Sequence, residues 1–424
     1  MSKILLAVLG LVLCTTAWAN EVRITPDLSQ RMWQALEQPD DQINPQERSI
    51  LGATLALEQN NPEKALSMLN APETSADPLA DLLRAEAHRR EALKAVSSAG
   101  DYAKHRKLTT QQFAAIDLND DLHEATVRLQ AFADKIDGAS GFPLDVLMLD
   151  PSVQSIFLVD KARSRMFVYH RNAEGEFIRV ADEYVVTGAK GGDKYKRGDG
   201  RTPNGVYRFT SIRHDPELRA KYGPVVFPID YPNFLDKLHG KTGDGIWMHG
   251  YPESKKRRPP QDTRGCFSLP NPVLQQMETY VKPGQSWVVI GENFAFGDKG
   301  EQTNLLDSVQ SSLQAWEKDW ESLDSDAYLS HYHKQFRSGK RDLNSWKRYK
   351  KRVNGHKKYI HVTLDDMTII HDPTPWQEGE IVVVEFQQNY QSSNYSDKGK
   401  KRLYLARGDA QSPWKILIEE SLNP

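Results

Sequence analysis

Two short runs decide the reading of this chain: Ile246-Trp247-Met248-His249-Gly250 and, past a proline-rich stretch, Asp262-Thr263-Arg264-Gly265-Cys266-Phe267-Ser268. His249 and Cys266 flank sixteen residues (250–265) that include Pro252, Pro259 and Pro260. That length suits a loop which returns the chain and sets the imidazole beside the sulfur. A thiolate, not a thiol, attacks an acyl carbon, and a neighbouring His can take the proton and later hand it to a leaving amine. Gly265, lacking a Cβ, lets the backbone approach a reacting carbonyl, and amides at or beside Cys266 could stabilise an oxyanion.

The cysteine count sharpens this. The chain has two cysteines, Cys14 and Cys266. Residues 1–19 read as a secretory signal peptide: Lys3 is the positive n-region, Ile4 to Leu13 the short apolar core, and Ala17-Trp18-Ala19 an A-x-A cleavage site. Cleavage there removes Cys14 and leaves Cys266 alone in an exported, periplasmic compartment, where an idle exposed thiol is a liability. An uncleaved anchor is the competing reading. A lipoprotein site at Cys14 is disfavoured by the bulk of Leu13.

Composition bounds the rest. The 424 residues suggest two or three domains. With 55 Lys+Arg against 57 Asp+Glu there is no whole-chain basic field, and no nucleic-acid partner is expected. A hydrophobic share of 39% argues against a multispan membrane protein, and 9% aromatics against wholesale disorder. No Walker, dinucleotide or H-E-x-x-H motif occurs, and His331-Tyr332-His333 lacks partners at metal-ligand spacing, so neither cofactor nor metal is expected.

The fold class expected is multidomain: an N-terminal all-α segment, a β-rich catalytic domain and a C-terminal α+β domain. Residues 20–140 carry Ala and Leu at three- and four-residue spacing, as in Leu51, Ala53, Leu55, Ala56 and Leu57, then Ala65, Leu66, Met68 and Leu69. Asn61-Pro62-Glu63 is a helix start between two such segments. This pair faintly resembles a tetratricopeptide hairpin, but a plain bundle is favoured. Residues 150–292 change period: Ile156 to Val159 and Met166 to Tyr169 read as strands joined by a polar turn, with Phe177–Val186 and Ser286–Ile290 as further strands. Gly297 to Gln302 reads as a linker. Residues 303–424 open with a helical stripe from Leu305 through Trp316, Trp320, Leu323, Tyr328 and Tyr332 to Phe336. Strand-like runs follow at Tyr359–Leu364, Thr368–His371, Ile381–Asn389, Lys401–Ala406 and Trp414–Glu419.

The pattern His249-Gly250 and Thr263-x-Gly265-Cys266 resembles the signature of the L,D-transpeptidase (YkuD) catalytic domain. Tyr184–Gly188, Gly192-Asp193-Lys194 and Gly198–Tyr207 strengthen the likeness, which runs from about Ser155 to Gly291. It implies Cys266 as nucleophile and His249 as general base and acid. It also implies a backbone carbonyl next to the Cys, that of Gly265, to orient the His. The substrate implied is the peptidoglycan stem tetrapeptide, cut between its third, L-centred residue and D-alanine. The acyl group would pass to water (carboxypeptidase) or to a stem amine (transpeptidase). Two departures stand out: Arg264 where many members have His, and Ser268 where many have Arg or Asn. Arg264, Gly250 and Thr263 are candidate substrate-binding residues, Arg264 because a guanidinium can hold a stem carboxylate bidentately.

Lys255-Lys256-Arg257-Arg258 reads either as solvated surface or as a lid that attracts anionic wall polymer. Asp193 and Asp199, flanked by glycines, are expected to hold local backbone rather than to do chemistry. Trp316, Trp320, Asp324, Tyr328, Tyr332 and Phe336 ahead of several strands look like a nuclear-transport-factor-2-like (SnoaL-like) domain, whose cone could take an unknown ligand or partner. The expectation for Trp316 and Tyr328 is that they simply fill it. The three-part order resembles the L,D-carboxypeptidases that set helical cell shape, in which the helical segment mediates a homodimer. That likeness tilts the expectation toward trimming over cross-linking. Cleavage of a lipoprotein or other adduct from the wall, and a silent wall-binding scaffold, are the alternatives.

Overall fold

A computed structural model describes residues 24–38, 43–75, 77–98, 119–137, 141–255, 257–298, 300 and 302–422. The signal-peptide reading and Cys14 lie outside the described residues. No helix among those described is long and apolar enough to cross a membrane.

The N-terminal part is helical: α1 (Pro26–Glu37), α2 (Pro45–Glu58), α3 (Pro62–Leu69), α4 (Pro78–Ser98) and α5 (Asn119–Ile136). The first three begin alike. Thr25, Asn44 and Asn61 each accept a hydrogen bond from a first-turn amide, and a proline follows each. Proline fits there because its missing N–H is one the helix could not have used. Ile50, Ala53, Ala56, Ala65, Leu69, Leu83 and Ala87 form the bundle core, and small alanines let α2, α3 and α4 pack closely.

The chain then runs through β1 (Phe142–Pro143), β2 (Val146–Met148), β3 (Ser155–Asp160), β4 (Arg165–Arg171), β5 (Phe177–Tyr184), β6 (Thr187–Gly188) and β7 (Gly205–Arg208). After α6 (Pro216–Tyr222) come β8 (Val226–Pro228), α7 (Phe234–Leu238), β9 (Trp247–His249), β10 (Gln261–Thr263), β11 (Phe267–Ser268), α8 (Asn271–Met277), β12 (Trp287–Gly291) and β13 (Phe296–Gly297). The main sheet has the order β5-β4-β3-β12-β7, and a smaller one the order β11-β9-β8. Entry and exit are clipped together by β1 pairing with β13.

β12 is apolar throughout because both its faces are covered. Val288 and Ile290 face the catalytic core with Phe227, Met248 and Phe267. Trp287 and Val289 face the other way, into one cluster with Ile370, Ile381, Val383, Tyr404 and Leu417 of the C-terminal part. The two domains therefore share a continuous core.

The C-terminal part comprises α9 (Thr303–Glu321), α10 (Ser325–Ser330), β14 (Tyr332–Ser338), β15 (Arg341–Asp342), α11 (Leu343–Asn354), β16 (Ile360–Trp376), β17 (Gly379–Ser392), β18 (Tyr395–Arg407) and β19 (Lys415–Ser421). Its sheet runs β15-β14-β19-β18-β17-β16-β2. The last member is a surprise: β2, which precedes the catalytic domain in sequence, adds to this sheet by pairing Met148 with Ile369. His371 pins it through Asp145 Oδ1 at 2.7 Å.

Two expectations change. Tyr332 and Phe336 lie on β14, not on a helix; a spacing of four keeps residues on one face in both periodicities. The runs expected at 359–364 and 368–371 are one strand, β16, whose register shifts between Asp365 and Thr368 at the positive φ of Asp366 (53°). Trp316, Trp320, Tyr328, Tyr332, Phe336 and Trp346 pack on one another inside the cone. Trp316 and Tyr328 are both 1% exposed, filling it as expected. Lys350 Nζ sits 4.3 Å from the Trp320 ring and 4.7 Å from that of Trp346.

Candidate active site

His249 ends β9, and Cys266 stands just before β11, which runs parallel to β9 with Phe267 opposite Met248 and Ser268 opposite His249. Side-chain alternation puts Cys266 and Ser268 on the same face of their strand. The two candidate residues thus stand at the end of one strand and directly before its parallel neighbour, with the 250–265 connection, which includes β10, between them.

The imidazole is held tightly. His249 is 4% exposed, and its Nδ1 lies 2.6 Å from the carbonyl oxygen of Gly250. Assigning the proton to Nδ1 leaves Nε2 with a lone pair. Ser268 Oγ donates to the same carbonyl at 3.0 Å, and the Tyr222 ring meets the imidazole edge to face at 5.0 Å. Burial pushes His249 down to about 4, the Gly250 carbonyl opposing and Arg258 adding to the fall.

Cys266 is partly exposed, so a substrate carbonyl can reach it. Its Sγ lies 3.4 Å from the Gly245 carbonyl, which can accept the thiol proton. The packing around the sulfur pushes the thiol up to about 11, against the pull of the Trp247 backbone amide, Arg258 and Lys194. The resting pair at neutral pH is therefore thiol and neutral imidazole, not an ion pair. Such a pair transfers its proton as the sulfur attacks.

The Cys266 carbonyl is fixed by two hydroxyls, Thr263 Oγ1 at 2.6 Å and Thr202 Oγ1 at 3.2 Å. Gly265 has φ +130°, and a Cβ there would lie 2.8 Å from the Arg201 carbonyl oxygen, so the position suits glycine alone.

Residues 154–290 match the family model of the L,D-transpeptidase catalytic domain (YkuD). The middle of the chain is an L,D-transpeptidase catalytic domain. Residues 308–420 match the Cds6 C-terminal NTF2-like domain. Among solved structures, the helical cell shape determining protein Pgp2 from Campylobacter jejuni is similar at 28% identity and TM-score 0.56, covering 71% of this chain and 99% of that one. Bd1075 from Bdellovibrio bacteriovorus is similar at 26% identity and TM-score 0.56, covering 66% of this chain and 98% of that one. No curated protein matches the chain. The chain thus joins an L,D-transpeptidase catalytic domain to a C-terminal NTF2-like domain.

Within the L,D-transpeptidase domain β9 and β11 bring the backbones of the expected residues side by side, and several of their polar groups bond elsewhere than expected. The carbonyl that takes His249 Nδ1 belongs to Gly250, not Gly265. Gly250 had been expected to touch substrate, but it is buried and its amide donates to Tyr222 O at 2.8 Å. Thr263 was expected there too. Its hydroxyl instead closes the 263–266 turn, accepting from the Gly265 amide at 3.1 Å while donating to Cys266 O. That amide is consequently committed within the turn and unavailable to an oxyanion. Arg264 is exposed and forms no ion pair among the described residues, so it remains the candidate for a stem carboxylate.

The basic run is mostly engaged. Arg258 is buried, with Nε 2.8 Å from Asp262 Oδ2, and Lys255 reaches the same oxygen at 3.1 Å. Arg257 contacts Glu124 of α5 at 3.4 Å. Lys256 lies outside the described residues. Asp199 holds its loop as expected, accepting from the amides of Tyr195 (2.8 Å), Lys196 (2.9 Å) and Arg201 (3.2 Å). Thr202 was missed as a site residue. The only signal was its place in the Gly198–Tyr207 run.

Proposed function

We propose that this chain is a periplasmic cysteine acyl-transfer enzyme that trims peptidoglycan stem tetrapeptides, an L,D-carboxypeptidase. The observation that carries the reading is His249 at the end of β9 and Cys266 directly before the parallel β11, with Nδ1 anchored on Gly250 O and Nε2 left to accept a proton. His249 Nε2 takes the thiol proton as Sγ bonds to the carbonyl carbon of the L-centred third residue. The tetrahedral oxyanion collapses, the C–N bond breaks, and the imidazolium protonates the departing D-alanine amine. Water then gives a proton to His249 and its hydroxide to the thioester carbon. The proton returns to sulfur as the shortened stem leaves.

Two things favour water over a stem amine as acceptor. The chain is similar over 71% of its length to nearly all of a protein described as determining helical cell shape. The sequence likeness points the same way. Export rests on Lys3, the Ile4–Leu13 core and the Ala17–Ala19 site.

Mass spectrometry of purified muropeptides incubated with the mature chain, beside Cys266→Ala, tests the reading. Loss of D-alanine from tetrapeptides without new dimers is expected. Dimers joined through two L-centred residues would make it a transpeptidase. No Cys266-dependent change would overturn both, leaving adduct cleavage or a scaffold.

A further inference from the structure

The L,D-transpeptidase domain rests on the C-terminal domain through more than apolar packing, and the polar part of that contact leads to the nucleophile. Segment 201–204 lies between them. On one side it abuts the Cys266 backbone: Arg201 O crowds the Gly265 Cα, and Thr202 Oγ1 donates to Cys266 O at 3.2 Å while accepting from the Gly188 amide at 2.9 Å. On the other side, Asn204 O accepts from Thr374 Oγ1 of β16 at 3.2 Å. Pro203 links the two with a fixed φ, so displacement at Asn204 is passed to Thr202 rather than absorbed.

The segment is buried and held from beneath. Thr202, Asn204 and Thr374 are 1%, 6% and 6% exposed. The Asn204 amide donates to Asp193 Oδ1 at 2.8 Å, and Lys161 Nζ donates to Thr202 O at 3.1 Å. Lys241 Nζ lies 2.7 Å from Asp193 Oδ2 and 2.9 Å from Asp236 Oδ1, and Tyr207 OH joins Asp236 Oδ2 (3.1 Å) to Asn204 O (2.9 Å). Thr374 is itself oriented, its amide donating to Asp372 Oδ1 at 2.9 Å.

We propose that Thr374 is a positioning residue for Cys266, by which the C-terminal domain sets the nucleophile's backbone through Asn204 and Thr202. This rests on Cys266 being the nucleophile. The NTF2-like domain is then a structural part of the catalytic centre and not only an appended module. Thr374 touches no substrate; it acts by fixing where the sulfur stands when the acyl carbon arrives.

The test uses the full-length mature chain with Thr374→Val, Thr374→Ser, Thr202→Val and the Thr202→Val/Thr374→Val double variant. Asn204 O keeps its bond from Tyr207 OH in every one, so the fold is expected to survive, and melting temperature is measured alongside. Thr374→Val is expected to lower kcat for D-alanine release, and the iodoacetamide rate at Cys266, by about three- to tenfold with KM unchanged. Thr374→Ser should restore both, and the double variant should be no slower than Thr202→Val, the mark of a shared path. The proposal is overturned if Thr374→Val keeps the parent's kcat, or if Thr374→Ser fails to rescue and activity merely follows melting temperature. Failure of the underlying reading looks different: the parent enzyme itself would then show no reactive Cys266 and no product.

Discussion

His249 and Ser268 share one acceptor: Nδ1 of the imidazole and Oγ of the serine lie 2.6 Å and 3.0 Å from the carbonyl oxygen of Gly250. A carbonyl has two lone pairs, so both bonds form, but each weakens the oxygen for the other. Ser268→Ala frees the oxygen to bind the Nδ1 proton more strongly, which favours the imidazolium and raises the His249 pKa. The shift should stay below about one unit, the worth of a single neutral hydrogen bond. An NMR titration of His249, or the acid limb of the pH–rate profile, reads it directly. A downward shift would show that Ser268 supports the base rather than competing with it.

The pH dependence follows from a thiol pushed up to about 11 and an imidazole pushed down to about 4. Between those values Cys266 is protonated and His249 neutral, so alkylation near pH 7 needs His249 to accept the proton. His249→Ala should slow it by about tenfold or more at pH 7 and far less near pH 11, where the thiolate forms unaided. Stability carries the matching sign. The folded state disfavours the charged imidazole, so this contribution is full above about 6.5 and is lost as pH falls from there toward about 4. His249→Gln should flatten that part of the melting curve against pH. Thiolate ultraviolet absorbance from Cys266 at pH 7 in the parent, lost in His249→Ala, would mean a preformed ion pair, and the general-base step would have to be abandoned.

Gly265→Ala is expected to fail for two separable reasons. The residue sits at φ +130°, where a side chain is strained, and the new Cβ would meet the Arg201 carbonyl oxygen at 2.8 Å. Backbone cannot step aside as a flexible side chain can, so a loss of roughly 1–3 kcal/mol is expected. Because the displaced segment includes Thr202, D-alanine release should fall further than folding does. Thermal unfolding and turnover of the same preparation separate the two, and an Ala variant with parental stability and rate would refute the packing argument.

What the sequence revealed, and what it hid, divides along physical lines. Fully buried strands such as β3 and β12 announce themselves as apolar runs between turns, and Asn61-Pro62 marks a helix start, because these signals are local. The candidate pair stands out for the same reason: thiol and imidazole are rare chemistry at a short spacing. The carbonyl that steadies His249 was not, since every residue has one and only the turn of the chain shows which is near. Thr263 and Gly250 looked like substrate contacts because they sit in the motif, yet their polar groups are satisfied internally. The addition of β2 to the C-terminal sheet was invisible, because three residues carry almost no pattern and their partner, Ile369, is remote in sequence.

The remaining prediction concerns the seam between the domains. Glu385 on β17 is 2% exposed and receives Arg208 of β7 at 2.6 Å, Arg402 of β18 at 2.9 Å and Lys400 at 3.1 Å. Both guanidiniums also lie against Trp287, at 3.9 Å for Arg208 and 5.2 Å for Arg402. These cations hold the Glu385 carboxyl below the usual range despite its burial. Glu385→Gln keeps the shape but leaves two buried guanidiniums without their counter-ion, a change worth roughly 3–5 kcal/mol. Asp230, 3.8 Å from Arg402, offsets part of it. Denaturant unfolding of the full chain should show this loss with one cooperative transition retained, since the apolar cluster still spans both domains. A loss under about 1 kcal/mol would mean that the cluster alone holds the seam. Two separated transitions would show the charge pair to be what makes the domains unfold as one.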